Sequence, residues 1–385
     1  MDFIVFSDDW GEHPSSCQHL FRQIAREHRV LWVNTVGMRS PRFSRADLDK
    51  AARKVHRMLK SPTPSYANLR NAPLPNLEVL QPPMLPLPGL RPARAFNDWS
   101  ARRAVQAALL RRGMRDPVVV TTVPNACDVV ARLGASRIVY YCVDDFAQWP
   151  GINHRIVRAM EQRLVDHADL LLATSETLRE SLARSGKPTQ LFEHGVDLET
   201  FGASPGPAHP RLAGLPHPRA GFFGLLDERL DGELLAAIAQ QLPQWTFVLA
   251  GPRAAPIPSI QGRSNIVHLG PLPYQELPMF VAGIDVLILP YRVNEFTQTI
   301  SPLKLNEYIA TGKSVVSAPL REVAKREQYI RIALDSRDWE QALGDALKGD
   351  VNSRRHEAAA ALANSSWRAR AATMIDLIRS TTVCA

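Results

Sequence analysis

Short continuous apolar runs alternate with stretches whose apolar residues recur every three or four positions. Residues 3–6 (FIVF), 30–33, 118–121, 138–141 and 170–173 form one series of such runs. Between them lie helical patterns, with Leu20, Phe21 and Ile24 on one face and Ile156, Met160 and Leu164 on another. Runs of this length, apolar throughout and separated by helices, predict a parallel sheet covered on both faces. The alternation restarts at residues 221–224 and continues through 246–250, 266–269, 286–290 and 315–316, with residues 233–241 as one intervening helix. A helical pattern through Leu362, Trp367, Ala371, Ile375 and Ile378 predicts one closing helix over 354–379. Two segments interrupt the pattern. Residues 61–95 are proline-rich and read as an irregular excursion, and the proline-rich stretch 201–218 reads as an interdomain linker. The fold class expected is α/β, with two Rossmann-like domains over 1–203 and 204–364. A C-terminal helix over about 365–385 is expected to pack back on the first domain.

The chain of 385 residues is long for a single core, which agrees with two domains. Its 45% hydrophobic and 22% charged residues are those of an ordinary globular protein. No run approaches the roughly 20 apolar residues that cross a bilayer, and the start, MDFIVFSDDW, reads as a strand and not a leader. Cys17, Cys127, Cys142 and Cys384 are scattered without a CxxC pair, which predicts neither a disulfide framework nor a zinc site. A cytoplasmic location is expected. The net charge of +8 is local: residues 39–60 contribute +6, residues 91–116 contribute +5, and the remainder is negative. In the first patch Leu48, Ala52, Val55 and Leu59 form a helical stripe among basic residues, suited to an anionic membrane surface or to packing on its own domain. No aromatic-rich or helix-turn-helix motif accompanies the charge, so a nucleic-acid partner is not expected.

Open parallel sheets bind ligands beyond the carboxyl ends of their strands. The turn GLLDER, Gly224 to Arg229, lies at such a place: Gly224 permits close backbone approach and Arg229 reaches toward a pyrophosphate. The same spacing also suits an ordinary turn, and the fuller GxGxxG fingerprint of NAD dehydrogenases is absent. In ISPLKLNEYIATGK, Ser301 or Pro302 is suited to open a helix that Gly312 ends. Lys304 and Glu307 then share one face, offering a charge to a diphosphate and acceptor oxygens to ribose hydroxyls, or simply pairing with each other. Asp144 and Asp145 follow a strand end; Asp144 is a candidate general base, Asp145 a turn or cap residue. Asp8, Asp9, Trp10 and His19 flank the first strand-to-helix loop, and His194 lies near the end of the first domain.

The segment SPLKLNEYIATGKSVV resembles the donor-binding segment of GT-B glycosyltransferases. VYYCVDDFAQWPG, ADLLLATSETL, EHGVDLETF, GFFGLLDERLDGELL and WTFVLAGP follow in the order expected of transferases of the teichuronic-acid-assembly type and, more distantly, of the xanthan glucuronosyltransferase. The resemblance implies two Rossmann-like domains facing each other across a cleft. It implies transfer of a hexosyl or uronosyl group from a nucleotide diphosphate sugar, a UDP-sugar, to a carbohydrate or lipid-linked saccharide acceptor, with no cofactor and no metal. On it, Lys304 matches the pyrophosphate-binding lysine, Glu307 the nucleoside-recognition position, Leu272 a backbone contact to the base, and Asp144 the catalytic aspartate. Gly224, Arg229 and Ser301 complete the donor side; Asp8, Asp9, Trp10, His19 and His194 belong to the acceptor side or the cleft wall. Two positions depart from the retaining members: Thr299 stands where they carry an acid, and Leu225 where they carry an arginine. The same motifs suit a sugar-nucleotide epimerase of this fold, or a non-catalytic saccharide- or membrane-binding relative.

Overall fold

A computed structural model describes residues 1–12, 14–38, 74–203, 206–349 and 351–381. The chain divides into two compact units: Met1–Glu193 with Trp367–Ala385, and His194–Ser366. The basic amphipathic stripe over 39–60 lies outside the described residues.

The first unit holds a seven-stranded sheet: β1 (Asp2–Ser7), β2 (Arg29–Asn34), β3 (Leu77–Leu80), β4 (Val118–Thr121), β5 (Arg137–Cys142), β6 (Leu170–Ala173) and β7 (Thr189–Leu191). The order is β3-β2-β1-β4-β5-β6-β7, with every pairing parallel. The order reverses between β1 and β4, so both strands are central and buried along most of their length. The second unit holds β8 (Arg219–Phe223), β9 (Thr246–Ala250), β10 (Ile266–Gly270), β11 (Val286–Leu289), β12 (Ser314–Ser317) and β13 (Ile330–Ile332), in the order β10-β9-β8-β11-β12-β13 and again parallel. Here the order reverses between β8 and β11. A reversal opens a crevice, because successive connections leave for opposite faces of the sheet.

Three expectations need correction. The proline-rich stretch 201–218 is no linker. Phe201 stacks on Phe223 with centroids 5.8 Å apart, Leu212 is buried, and the His209 amide donates to the Met279 carbonyl, so this stretch belongs to the second core. The units therefore divide after Glu193, not after residue 203. The excursion over 61–95 contains β3 and the start of the helix Arg91–Arg112. The closing helix is two, Val351–Leu362 and Trp367–Ser380. Between them Ser365 accepts a hydrogen bond from the Val196 amide, and Ser366 pairs with Val196, which interrupts the helical ladder. Cys17, Cys127 and Cys142 are free and buried; burial pushes the Cys127 thiol up to about 11, opposite to what a nucleophile needs.

Candidate functional site

In the second unit, β8 ends at Phe223 and the next residue, Gly224, has φ +134°. Its amide donates to the Ala250 carbonyl, and Gly251, at the end of β9, has φ +147°. A Cβ on Gly251 would lie 1.8 Å from the Gly224 oxygen, so two strand ends touch backbone to backbone. A Cβ on Gly224 would lie 2.7 Å from Cε and Nζ of Lys304. The bare backbone of Gly224 is therefore the floor on which the lysine rests.

Lys304 donates from Nζ to the Tyr291 hydroxyl at 2.6 Å and stands 4.6 Å from the centroid of Phe222. Two ring faces and a hydroxyl hold the ammonium at the reversal between β8 and β11. Arg229 lies over the same tyrosine, 5.9 Å from its centroid. Its Nη2 also pairs with Asp227 at 2.7 Å, and Nε donates to the same carboxylate. Arg229 is thus already engaged with a carboxylate that the sequence reading overlooked. The Leu230–Tyr291 bridge and the Arg292 amide on the Arg229 carbonyl tie this turn to the loop after β11.

Glu307 is one turn beyond Lys304 on the short helix Lys304–Ala310 and is buried. It accepts from the Tyr274 hydroxyl at 3.2 Å. Burial pushes its carboxyl up to about 8, against the opposing pull of Lys304 and of the tyrosine hydrogen bond, while Asp197 raises it further. Lys304 and Glu307 do not form an ion pair; each has its own tyrosine. The helix opens at Lys304, after Leu303, which makes no side-chain cap, and not at Ser301 or Pro302. The Pro302 carbonyl accepts instead from the Leu305 amide. Gly312, at φ +70°, follows the helix end as expected. Leu272 is half-buried just past β10 and packs against the core. His194 falls in this unit and is buried, its carbonyl accepting from Asn306 at 2.9 Å. Thr299 donates to the Phe296 carbonyl and ends a capped helix, Glu295–Thr299.

In the first unit the candidates line the carboxyl edge of the sheet. Asp8, after β1, accepts from Ser7 at 2.7 Å, Gln18 at 2.8 Å and Ser15 at 3.1 Å. Loss of water around it raises its pKa, and these three donors oppose the shift. The Asp9 carbonyl accepts from Gln18, the Trp10 amide donates to Asn34, and the Trp10 ring meets Trp32 edge-on at 4.7 Å. His19 stacks on Trp367 of the returning helix at 5.1 Å. Asp144 follows β5 and is half-buried; Asp145 is buried, caps the turn Phe146–Gln148 and pairs with Arg158 at 2.8 Å. β1, β4 and β5 are consecutive in the sheet, so Asp8 and Asp144 lie along one edge with one strand between.

Residues 217–349 match the family model described as glycosyl transferases group 1. TuaH of Bacillus subtilis (strain 168), described as a teichuronic acid biosynthesis glycosyltransferase, is 29% identical over 209 residues, which are 50% of this chain and 53% of that protein. The match spans about half the length of that curated relative. Among solved structures, sucrose-phosphate synthase from Thermosynechococcus elongatus superposes with a TM-score of 0.71, at 16% identity over 98% of both chains. Anabaena HepE in complex with UDP and glucose gives 0.67 at 15% identity, covering 99% of this chain and 100% of the other.

The fold is GT-B.

Gly224, Arg229, Leu272, Ser301, Lys304 and Glu307 all fall inside the span 217–349 that matches the group 1 glycosyl transferase model. The residues around this site that sequence reading missed are Tyr274, Tyr291, Asp227 and Gly251. Gly251 alone carried a signal, since AGP directly follows the strand TFVL and a glycine there marks a close backbone approach. The two tyrosines are remote in sequence from the residues they hold.

Proposed function

We propose that this chain is a glycosyltransferase of polysaccharide assembly, which moves a hexosyl or uronosyl group from a UDP-sugar to a carbohydrate or lipid-linked saccharide acceptor. One observation carries the reading. A lysine stands against a bare glycine backbone at the reversal of a parallel sheet, with a buried carboxyl group one turn beyond it. A diphosphate bound there meets a fixed positive charge, and Glu307 accepts from the ribose hydroxyls. TuaH, described as a teichuronic acid biosynthesis glycosyltransferase, and the UDP bound in the HepE structure support the same reading.

In the reaction the acceptor hydroxyl oxygen attacks the anomeric carbon. The bond from that carbon to the β-phosphate oxygen breaks, and its electron pair leaves with the nucleoside diphosphate. Lys304, and Arg229 once it turns from Asp227, stabilise the charge that grows on the leaving oxygen. Asp144 takes the hydroxyl proton as that oxygen attacks. Asp8, Asp9, Trp10 and His19 belong to the acceptor side, and His194 and Ser301 border the donor. The protein works at the cytoplasmic face of a membrane, held to the anionic leaflet by its basic first unit.

The test incubates the protein with a panel of nucleotide sugars, with and without a membrane lipid extract, and follows free nucleoside diphosphate. Release that requires both a UDP-sugar and the extract supports transfer. Interconversion of the sugar without extract points to an epimerase, and binding without turnover to a non-catalytic relative.

A further inference from the structure

Eleven large apolar residues are exposed among the described residues, and five of them fall within residues 85–99: Leu85, Leu87, Leu90, Phe96 and Trp99. Trp99 is 53% exposed and Leu90 55%, well beyond what scattered surface residues need explaining. The segment is ordered. The Leu85 amide donates to Asn97 at 2.7 Å and the Asn97 amide group donates back to the Leu85 carbonyl at 2.9 Å, tying the proline-rich loop before the helix Arg91–Arg112 to that helix. Phe96 and Trp99 touch, their centroids 5.9 Å apart. Phe96 and Trp99 are thus presented by the first turns of the helix, and Leu85, Leu87 and Leu90 by the loop bonded to it.

The charge beside them is basic. Arg91 and Arg103, on the same helix, are exposed and form no ion pair among the described residues. Arg91, Arg94, Arg132 and Arg163 line an open depression of about 450 Å³ together with Ala95, Asp98 and Asp128. Arg94 and Arg163 share Asp128, and Arg132 shares Asp98 with Arg102, so guanidinium N–H groups outnumber the carboxylates that they meet. Exposed Trp, Phe and Leu flanked by arginines have the composition of an element lying in the headgroup region of an anionic bilayer. Rings enter the acyl boundary there while guanidinium groups stay with phosphates.

We infer that the first unit docks on an anionic membrane surface through the 85–99 segment, with Leu87, Leu90, Phe96 and Trp99 inserted and Arg91 and Arg103 on lipid phosphates. This surface presupposes the lipid-linked acceptor proposed above, since a soluble acceptor gives the protein no use for it. This surface does not include the basic segment 39–60.

The experiment uses the full chain with phosphatidylcholine vesicles, with and without phosphatidylglycerol. Wild type is expected to sediment with the anionic vesicles and to lose them as salt rises. Phe96→Ser with Trp99→Ser should weaken this binding by about tenfold or more, as loss of two buried rings requires. Trp99→Phe should bind as wild type does, yet lose most of the fluorescence quenching that brominated anionic lipid causes in wild type. Quenching unchanged in Trp99→Phe overturns the proposal without relying on a variant's fold. If the double variant binds normally while Arg53→Ser with Lys54→Ser and Arg57→Ser abolishes binding, the membrane reading stands and this surface falls. No vesicle binding at low salt, with self-association that the double variant abolishes, makes the face a contact between copies instead.

Discussion

Lys304 and Glu307 stand one helical turn apart, and each is held by a tyrosine from elsewhere in the chain. That separation gives them different tests. Lys304→Ala removes a charge-assisted contact and should weaken nucleoside diphosphate binding by about 1.5–3 kcal/mol, read by calorimetry on a folded variant. Unchanged affinity would remove this lysine from the site. Glu307 carries a pH signature. Its carboxyl, raised by burial to about 8, is largely protonated at neutral pH. Ribose hydroxyls that donate to it favour the ionised form, so affinity should rise with pH until about 8 and then level off, while Glu307→Gln binds more weakly and without that slope. The same shift acts on stability. The folded chain holds a proton that the unfolded chain releases near the ordinary carboxyl value of 4.5, so this group's contribution is full below 4.5 and is lost as pH rises to about 8. Glu307→Gln should therefore gain most over wild type at alkaline pH, in urea titrations at several pH values. Asp144 is tested by chemistry: Asp144→Asn should leave nucleotide affinity nearly intact and lower turnover roughly a hundredfold or more, as loss of a general base does. Near wild-type turnover assigns the proton to another group.

At the scale of elements, the two glycines at the ends of β8 and β9 separate folding from binding. A methyl on Gly251 meets backbone at 1.8 Å, which cannot yield, so Gly251→Ala should cost roughly 3 kcal/mol or more in urea unfolding. A methyl on Gly224 meets the flexible end of Lys304, which can move away. Gly224→Ala should cost less stability than Gly251→Ala but lower nucleotide affinity as Lys304→Ala does. Equal stability loss in both would show that the strain of a positive φ, common to the two positions, outweighs the difference in what the methyl meets. What sequence reading found and missed has the same physical basis. The central strands are continuous apolar runs because both faces are covered, and β1, β4, β6 and β11 are readable from that alone. β3, β7 and β13 went unseen; they are edge strands of three or four residues, half-exposed, with polar or charged side chains in their runs. The motif around Lys304 and Glu307 was legible because its residues are consecutive. Tyr274 and Tyr291 were not, because only the fold brings them to that helix. Ser301 was expected to cap it, but the chain around Pro302 closes onto Leu305 and the helix starts later.

At the scale of the whole molecule, the chain leaves the first unit after Glu193 and returns to it at Trp367. The returning helix Trp367–Ser380 buries Trp367, Ala371, Met374 and Ile378. Trp367 stacks on His19, Arg370 pairs with Glu193 at 3.7 Å and lies over Phe192, and Arg137 donates to the Thr381 carbonyl. All these partners belong to the first unit, although the helix follows the last residue of the second in sequence. Trp367→Ala leaves a cavity where an indole packed, a change that costs about 3–5 kcal/mol at a buried site. That loss should fall on the first unit. A nucleotide bound by the second unit stabilises what it touches by mass action, about 2.7 kcal/mol at a hundredfold excess over its Kd. Hydrogen exchange read by mass spectrometry separates the two effects, because peptides report each unit by itself. Trp367→Ala should accelerate exchange in β1, β5 and the helix Ser16–Ile24, and UDP should slow it around β8, β11 and Lys304. If Trp367→Ala instead loosens the UDP-protected peptides as much as the helix Ser16–Ile24, the returning helix supports the second unit, and its packing on the first contributes little.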